Sequence, residues 1–212
     1  MTDAARFDPA SLRLVGITDS LRDGIDGLAD RAARAVLGGA TMLQLRLADE
    51  TPRVLVEVAR ALRRAAPQVP LVVTARVDVA LAAGAQGIYL SADDLLPRVV
   101  RRFTPPGFIV GFSLGDETEV SHAAGADYVG VGPVFAAVTG QARAALGLER
   151  FSELRAIATL PTVAIGGVHS GNIAAVMAAG ANGVAVISAL LGAPDPTQAA
   201  RALRSAQDAS GR

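Results

Sequence analysis

Ala82-Ala83-Gly84-Ala85-Gln86-Gly87-Ile88 joins an Ala-rich helix end to a Gly-Ala pair and then to a short apolar run. The same order recurs at Gly39-Ala40-Thr41-Met42-Leu43, Gly125-Ala126-Asp127-Tyr128-Val129 and Gly180-Ala181-Asn182-Gly183-Val184. Glycine takes the left-handed conformation that ends a helix at little steric cost, and the residues after it begin a strand. Four helix-to-strand junctions are therefore marked in the sequence.

Working outward, short apolar runs predict strands at 14–18, 42–45, 71–74, 87–90, 108–112, 128–130, 162–165 and 183–187. None alternates with period two, as expected of parallel strands covered on both faces. Between them lie helical patterns. In residues 52–66, Val54, Leu55, Val58, Ala61 and Leu62 share one face and Arg53, Glu57, Arg60 and Arg64 the other, with Pro52 near the start where it is tolerated. Eight strands alternating with eight helices, at about 26 residues per unit, predict an α/β chain of the (β/α)8 TIM barrel type. A single domain is expected over 1–212, with a frayed tail after about Ala206. The alternative, an open doubly wound sheet, lacks its glycine fingerprint: the first strand is followed by Asp19-Ser20-Leu21.

Composition removes several chemistries. All 20 basic side chains are Arg, Cys is absent, and 20 acids bring the formal net charge to zero. Lysine Schiff-base enzymes, pyridoxal-phosphate enzymes and P-loop nucleotidases need an ammonium that this chain lacks. Thiolate nucleophiles, thiolate metal sites and disulfides are excluded as well. A neutral chain has no nucleic-acid footprint. The opening MTDAARFDPA does not read as a signal peptide. The uncharged stretch between Arg155 and Asp195 is broken by Pro161, Gly166, Gly167, His169 and Asn172, so it reads as buried strand, loop and helix, not as a membrane span. A cytoplasmic location is expected.

In a barrel the site forms beyond the strand C-termini. Gly166-Gly167 after the seventh strand and Ser188 after the eighth suit a phosphate site, where glycine lets backbone N–H groups approach an anion. The alternative is a tight turn and nothing more. Gln44 and Arg46 point the same way after the second strand, and Arg46 can either grip phosphate in a bidentate manner or pair with a carboxylate such as Asp49. Asp93-Asp94 after the fourth strand can hold Mg²⁺ beside a diphosphate or simply favour a helix dipole. His122 falls inside a helix away from the mouth, and His169 reads as a loop or cap residue.

The set GGATMLQLR, RVDVALAAGAQGIYL, ADD, GADYVGVGPVF, AIGGV and GANGVAVISAL, in this order and spacing, resembles the thiamine phosphate synthase and thiazole tautomerase family from about Leu14 to Ala206. The resemblance implies the (β/α)8 barrel and an enzyme of thiamine biosynthesis. That enzyme joins hydroxymethylpyrimidine diphosphate to thiazole phosphate, with Mg²⁺ as cofactor. It implies diphosphate contacts at Gln44 and Arg46, a Mg²⁺ carboxylate at Asp94, and a site serine at Ser113. Thr139 matches the strand-six loop, and Gly166, Gly167, Ile187 and Ser188 match the thiazole phosphate site. Arg46 and Ser113 are the residues expected to carry catalysis. The partner is a small phosphorylated substrate, with neither nucleic acid nor membrane, and a homo-oligomer is left open.

The departures from the pattern are specific. Ala48 and Gly140 stand where the family keeps Lys, and Thr74-Ala75 where it keeps Asn-Asp. Tyr89 stands where His is usual, and Ser91-Ala92 replaces Gly-Gln. Codon bias from Lys to Arg would have kept charge at 48 and 140. Arg143, in the same loop as Gly140, can supply one cation. Pro133 occupies the position of the tautomerase histidine, which places the chain nearer the synthase. Two alternatives are a non-catalytic or regulatory thiazole phosphate binder and a tautomerase-like isomerase.

Overall fold

The computed structural model describes residues 7–136 and 144–209. After a 3-10 turn at Pro9–Leu12, strand and helix alternate: β1 (Leu14–Ile17), α1 (Gly24–Leu37), β2 (Met42–Leu45), α2 (Pro52–Ala65), β3 (Leu71–Thr74), α3 (Val77–Ala83), β4 (Gly87–Leu90) and α4 (Pro97–Val100). The second half runs β5 (Ile109–Leu114), a 3-10 helix (Glu117–Ala123), β6 (Tyr128–Val131), α5 (Gly147–Ala158), β7 (Thr162–Ile165), α6 (Ile173–Ala178), β8 (Gly183–Val186) and α7 (Pro196–Ala209). All strands are parallel, and β8 pairs with β1 through Leu14 and Val184 to close a (β/α)8 barrel. No helix among the described residues is long and apolar enough to cross a membrane.

Two expectations are corrected. The connection between β5 and β6 is a 3-10 helix, not an α-helix, so His122 sits in a tighter spiral than expected. Its Thr118, Val120 and Ser121 are weak helix formers, and Asp116 accepts from Thr118 N–H at 2.7 Å, which favours the tight turn. The chain after Ala206 is helical as far as Ala209. Gln207 Nε2 donates to Arg13 O at 2.6 Å and Asp208 pairs with Arg13, tying this last turn to the start of β1.

The four Gly-Ala junctions behave alike. Gly39, Gly84, Gly125 and Gly180 all have positive φ (118°, 67°, 94° and 92°). The polar residue after each pair then makes a side-chain clamp. Thr41, Gln86, Asp127 and Asn182 accept from the N–H of Leu14, Leu71, Val110 and Thr162, at 2.9, 2.9, 2.8 and 2.8 Å. The backbone N–H of each donates back to the carbonyl of the same strand start, at 2.7–2.9 Å. Each even strand is thereby locked in register to the odd strand before it.

The lumen is filled separately from the helix–sheet interface. Val15, Met42, Val72, Tyr89, Tyr128 and Val163 point inward at alternate positions of their strands. Phe7 stacks on Tyr128 with ring centroids 5.8 Å apart, and Tyr89 lies 6.1 Å beyond, so an aromatic column runs up the barrel. Gly111 and Gly130 make room for it: a Cβ there would lie 2.4 Å from Tyr128 Cζ and 2.2 Å from the Tyr89 hydroxyl.

Tyr89 and Tyr128 are the chain's only tyrosines, and burial raises both phenols above the ordinary value of 10.0. The folded chain holds these protons at a pH where the unfolded chain releases them. Their contribution to stability is complete below pH 10 and is lost as pH rises further. The phenolate ultraviolet band is therefore expected to appear only together with loss of the far-ultraviolet helix signal. A phenolate that titrates in the folded chain contradicts this.

Candidate functional site

The inward parity that fills the lumen also builds the mouth. Continuing it upward brings Ile17, Gln44, Thr74, Ser113, Ile165 and Ile187 to the rim, with Tyr89 and Gly130 beneath them. These residues line a cavity of about 420 Å³ together with Arg46, Asp93 and Asp94. Its β2–β5 side is polar and its β1 and β7–β8 side is three isoleucines.

The polar wall is held by specific bonds. Gln44, buried, donates from Nε2 to Thr74 Oγ1 at 3.0 Å. Buried Thr18 clamps the backbone of Arg46: its hydroxyl accepts from Arg46 N–H at 2.8 Å and donates to Arg46 O at 3.0 Å. The Arg46 guanidinium is exposed and forms no ion pair among the described residues, so the expected alternative of a pair with Asp49 is not what the structure holds. The loop after β1 is pinned by Arg31, which is 6% exposed, donates to Ser20 O at 3.1 Å and pairs with Asp23.

Neither Asp93 nor Asp94 lies in the first turn of α4, so the helix-dipole alternative does not account for them. Asp94 Oδ2 accepts from Ser91 N–H and Ser91 Oγ, both at 2.8 Å. This fixes the carboxylate at the rim and leaves Oδ1 for another partner. Among the described residues no three His, Cys, Asp or Glu side chains group as a metal site. After the neighbouring strand β3, Ala75 adopts φ +62°, and Arg76 N–H donates to Thr74 O at 2.7 Å across it. That is a γ-turn of the strained hand, unfavourable for alanine and better tolerated by Asp or Asn.

A second cavity of about 580 Å³ lies beyond β7 and β8, and it shares Ile165, Gly166 and Ile187 with the first. Gly166 and Gly167 have φ +92° and +64° and pack against Pro133 and Phe135. The backbone N–H groups of Gly167, Val168, Ser188 and Ala189, all lining this cavity, have no acceptor among the described residues. His169 is exposed in the turn before α6, where its Nδ1 accepts from Gly171 N–H at 3.1 Å. Gln44, Arg46, Asp94 and Ser113 thus fall on the first cavity, Gly167 and Ser188 on the second, and Gly166 and Ile187 on both. Thr139 lies outside the described residues. Gly130 was not among the expected site residues, while in the sequence Thr74 and Tyr89 stood out only as positions that differ from the family pattern; all three line the mouth cavity.

Residues 14–190 match the family model described as thiamine monophosphate synthase. The chain belongs to the thiamine monophosphate synthase family. The thiamine-phosphate synthase of Azorhizobium caulinodans is 44% identical over 209 residues, covering 96% of this chain and 99% of that one. The thiamine-phosphate synthase of Methanoculleus marisnigri is 46% identical over 182 residues, covering 82% and 85%. The solved structure of thiamine phosphate pyrophosphorylase from Pyrococcus furiosus superposes with a TM-score of 0.84 at 34% identity, covering 95% of this chain and 98% of that one. Ala48 and Ala75 lie near Arg46 and Thr74, and Ala75 lines the mouth cavity. Both also line a smaller cavity of about 290 Å³ beside it.

Proposed function

We propose that this chain condenses hydroxymethylpyrimidine diphosphate with thiazole phosphate to give thiamine phosphate and diphosphate. The observation that carries the reading is that the two cavities meet at Ile165, Gly166 and Ile187. A condensation needs two subsites that share an edge, and proximity of this kind supplies a large part of the rate.

The four free N–H groups of Gly167, Val168, Ser188 and Ala189 bind the thiazole phosphate. Arg46 grips the diphosphate, and Gln44, locked by Thr74, and Ser113 orient the pyrimidine. The bond between the pyrimidine methylene and the diphosphate oxygen breaks, its electron pair leaving with diphosphate. The thiazole nitrogen then donates its pair to the methylene carbon. Ile17, Ile165 and Ile187 keep water from the cationic carbon in the interval. Asp94 would hold Mg²⁺ beside phosphate oxygens, since magnesium needs only one or two carboxylates there, and the metal would supply charge neutralisation to the leaving group. Purified protein incubated with both substrates and Mg²⁺ tests the reading, and thiamine phosphate no higher than in a protein-free control defeats it.

A second reading, which the family match does not favour, starts from Ala48 and Ala75, where the resemblance implies a cation and a carboxylate. On it the chain is a thiazole phosphate binder without turnover. Calorimetry separates the two, since the binder takes up thiazole phosphate but not diphosphate with Mg²⁺.

Ala75→Asp is expected to lower the half-saturating Mg²⁺ concentration about 10-fold or more, because a second carboxylate completes the pair magnesium favours. The thermal midpoint should not fall, since Asp tolerates the strained turn better than Ala. A Mg²⁺ titration of product formation checks it, and an unchanged midpoint concentration contradicts it.

A further inference from the structure

We propose that Tyr89 is a positioning residue, whose hydroxyl holds the Ser113 hydroxyl in the orientation that meets the pyrimidine. The inference rests on the reading above that the mouth cavity takes that ring. Tyr89 is 7% exposed and its hydroxyl is sealed from solvent without a hydrogen-bond partner among the described residues. A buried hydroxyl left unpaired is costly, and native proteins rarely keep one without a use. The hydroxyl is covered while the residue lines the mouth cavity, so its nearest use is to a neighbouring side chain.

The neighbours say what it can touch. The hydroxyl ends against Gly130 of β6, where a Cβ would lie 2.2 Å from it. Ser113 of β5 pairs with Gly130 in the strand register. Ser113 is half-buried, lines the mouth cavity, and is the side chain whose hydrogen-bonding pull opposes the rise that burial imposes on the phenol. Both residues line the mouth cavity, and the Tyr89 hydroxyl makes no hydrogen bond there among the described residues.

A serine hydroxyl has one donor and two acceptor positions. When Ser113 donates to a ring nitrogen of the substrate, a lone pair faces the Tyr89 O–H, which burial keeps protonated. Tyr89 is held in place by Tyr128, 6.1 Å away centroid to centroid, so the donor is aimed before substrate arrives. Only the rotation of one hydroxyl is needed to close the chain Tyr89 O–H to Ser113 O–H to substrate.

The test is a double-mutant cycle with Tyr89→Phe, Ser113→Ala and the pair, read by calorimetric binding of hydroxymethylpyrimidine diphosphate and by kcat/KM. Each single change is expected to cost about 10-fold, and the pair no more than either alone, since a lost hydrogen bond of this kind is on the order of one decade in affinity. Thiazole phosphate affinity should stay as in the wild type, and Tyr89→Phe should melt no lower than the wild type. Losses that multiply, a Tyr89→Phe protein that binds pyrimidine as the wild type does, a wild type that binds no pyrimidine, or a Tyr89→Phe protein that melts far below the wild type each overturn the inference. Coupled binding without product keeps it and defeats the proposed activity. Product formation with uncoupled losses does the reverse.

Discussion

Arg46→Ala is expected to lower kcat/KM for thiamine phosphate formation by about 100-fold or more, the usual scale for removing one preorganised contact to developing negative charge. The effect should be large here because no second cation lines the mouth cavity among the described residues. Arg46 is the cation that the mouth cavity presents among its described lining residues. Among the described residues its guanidinium has no carboxylate partner, while its backbone is clamped on both sides by Thr18. The side chain is therefore available and its root is fixed. Arg46→Lys should recover only part of the loss, because an ammonium cannot make the paired N–H contacts of a guanidinium. Steady-state kinetics of the two variants check both statements, and an Arg46→Ala enzyme within a few-fold of wild type contradicts them.

Gly166→Ala is expected to weaken thiazole phosphate binding about 100-fold and to lower the thermal midpoint by roughly 10 °C. A side chain at φ +92° is strained, and the new Cβ would lie 2.5 Å from Pro133 Cβ and 2.6 Å from Pro133 Cα. Left-handed strain costs about 1–2 kcal/mol and overpacking about 1–3 kcal/mol. At roughly 2–4 °C per kcal/mol for a chain of this size, the two account for the lower midpoint. Relief requires the loop after β7 to move, which carries the Gly167 and Val168 N–H groups away from those of Ser188 and Ala189. Calorimetry with thiazole phosphate and a melting curve decide the matter. Wild-type affinity in a folded Gly166→Ala protein would show that the glycine pair makes only a turn.

Much of the fold was legible because parallel strands buried on both faces must be apolar and because helices that end in Gly-Ala announce the next strand. The boundaries moved where backbone pairing, not hydrophobicity, sets them. Phe108 precedes β5, which runs on through Ser113 to Leu114. The helix between β5 and β6 tightened to 3-10 because its residues cap and turn better than they coil. The last turn of α7 stays wound because Gln207 reaches Arg13, a partner 194 positions away that no local pattern reveals.

The candidate site was legible to the extent that barrel topology sends every strand end to one mouth. Gln44, Arg46, Asp94 and Ser113 arrive at one cavity for that reason, and Gly167 and Ser188 at the other. What local reading could not supply is what depends on register across strands. The bond from Gln44 to Thr74, the sealed hydroxyl of Tyr89 and the edge shared by the two cavities all arise between residues far apart in sequence.

The polar residue after each Gly-Ala pair has one further consequence. Thr41, Gln86, Asp127 and Asn182 differ in chemistry, yet each does the same work for the odd strand before it. The eight-stranded wall is therefore assembled from four two-strand staves, each carrying its own latch. A stave can change the chemistry of its latch without its neighbours changing theirs. The rim residues can then change while the cylinder that presents them keeps its shape.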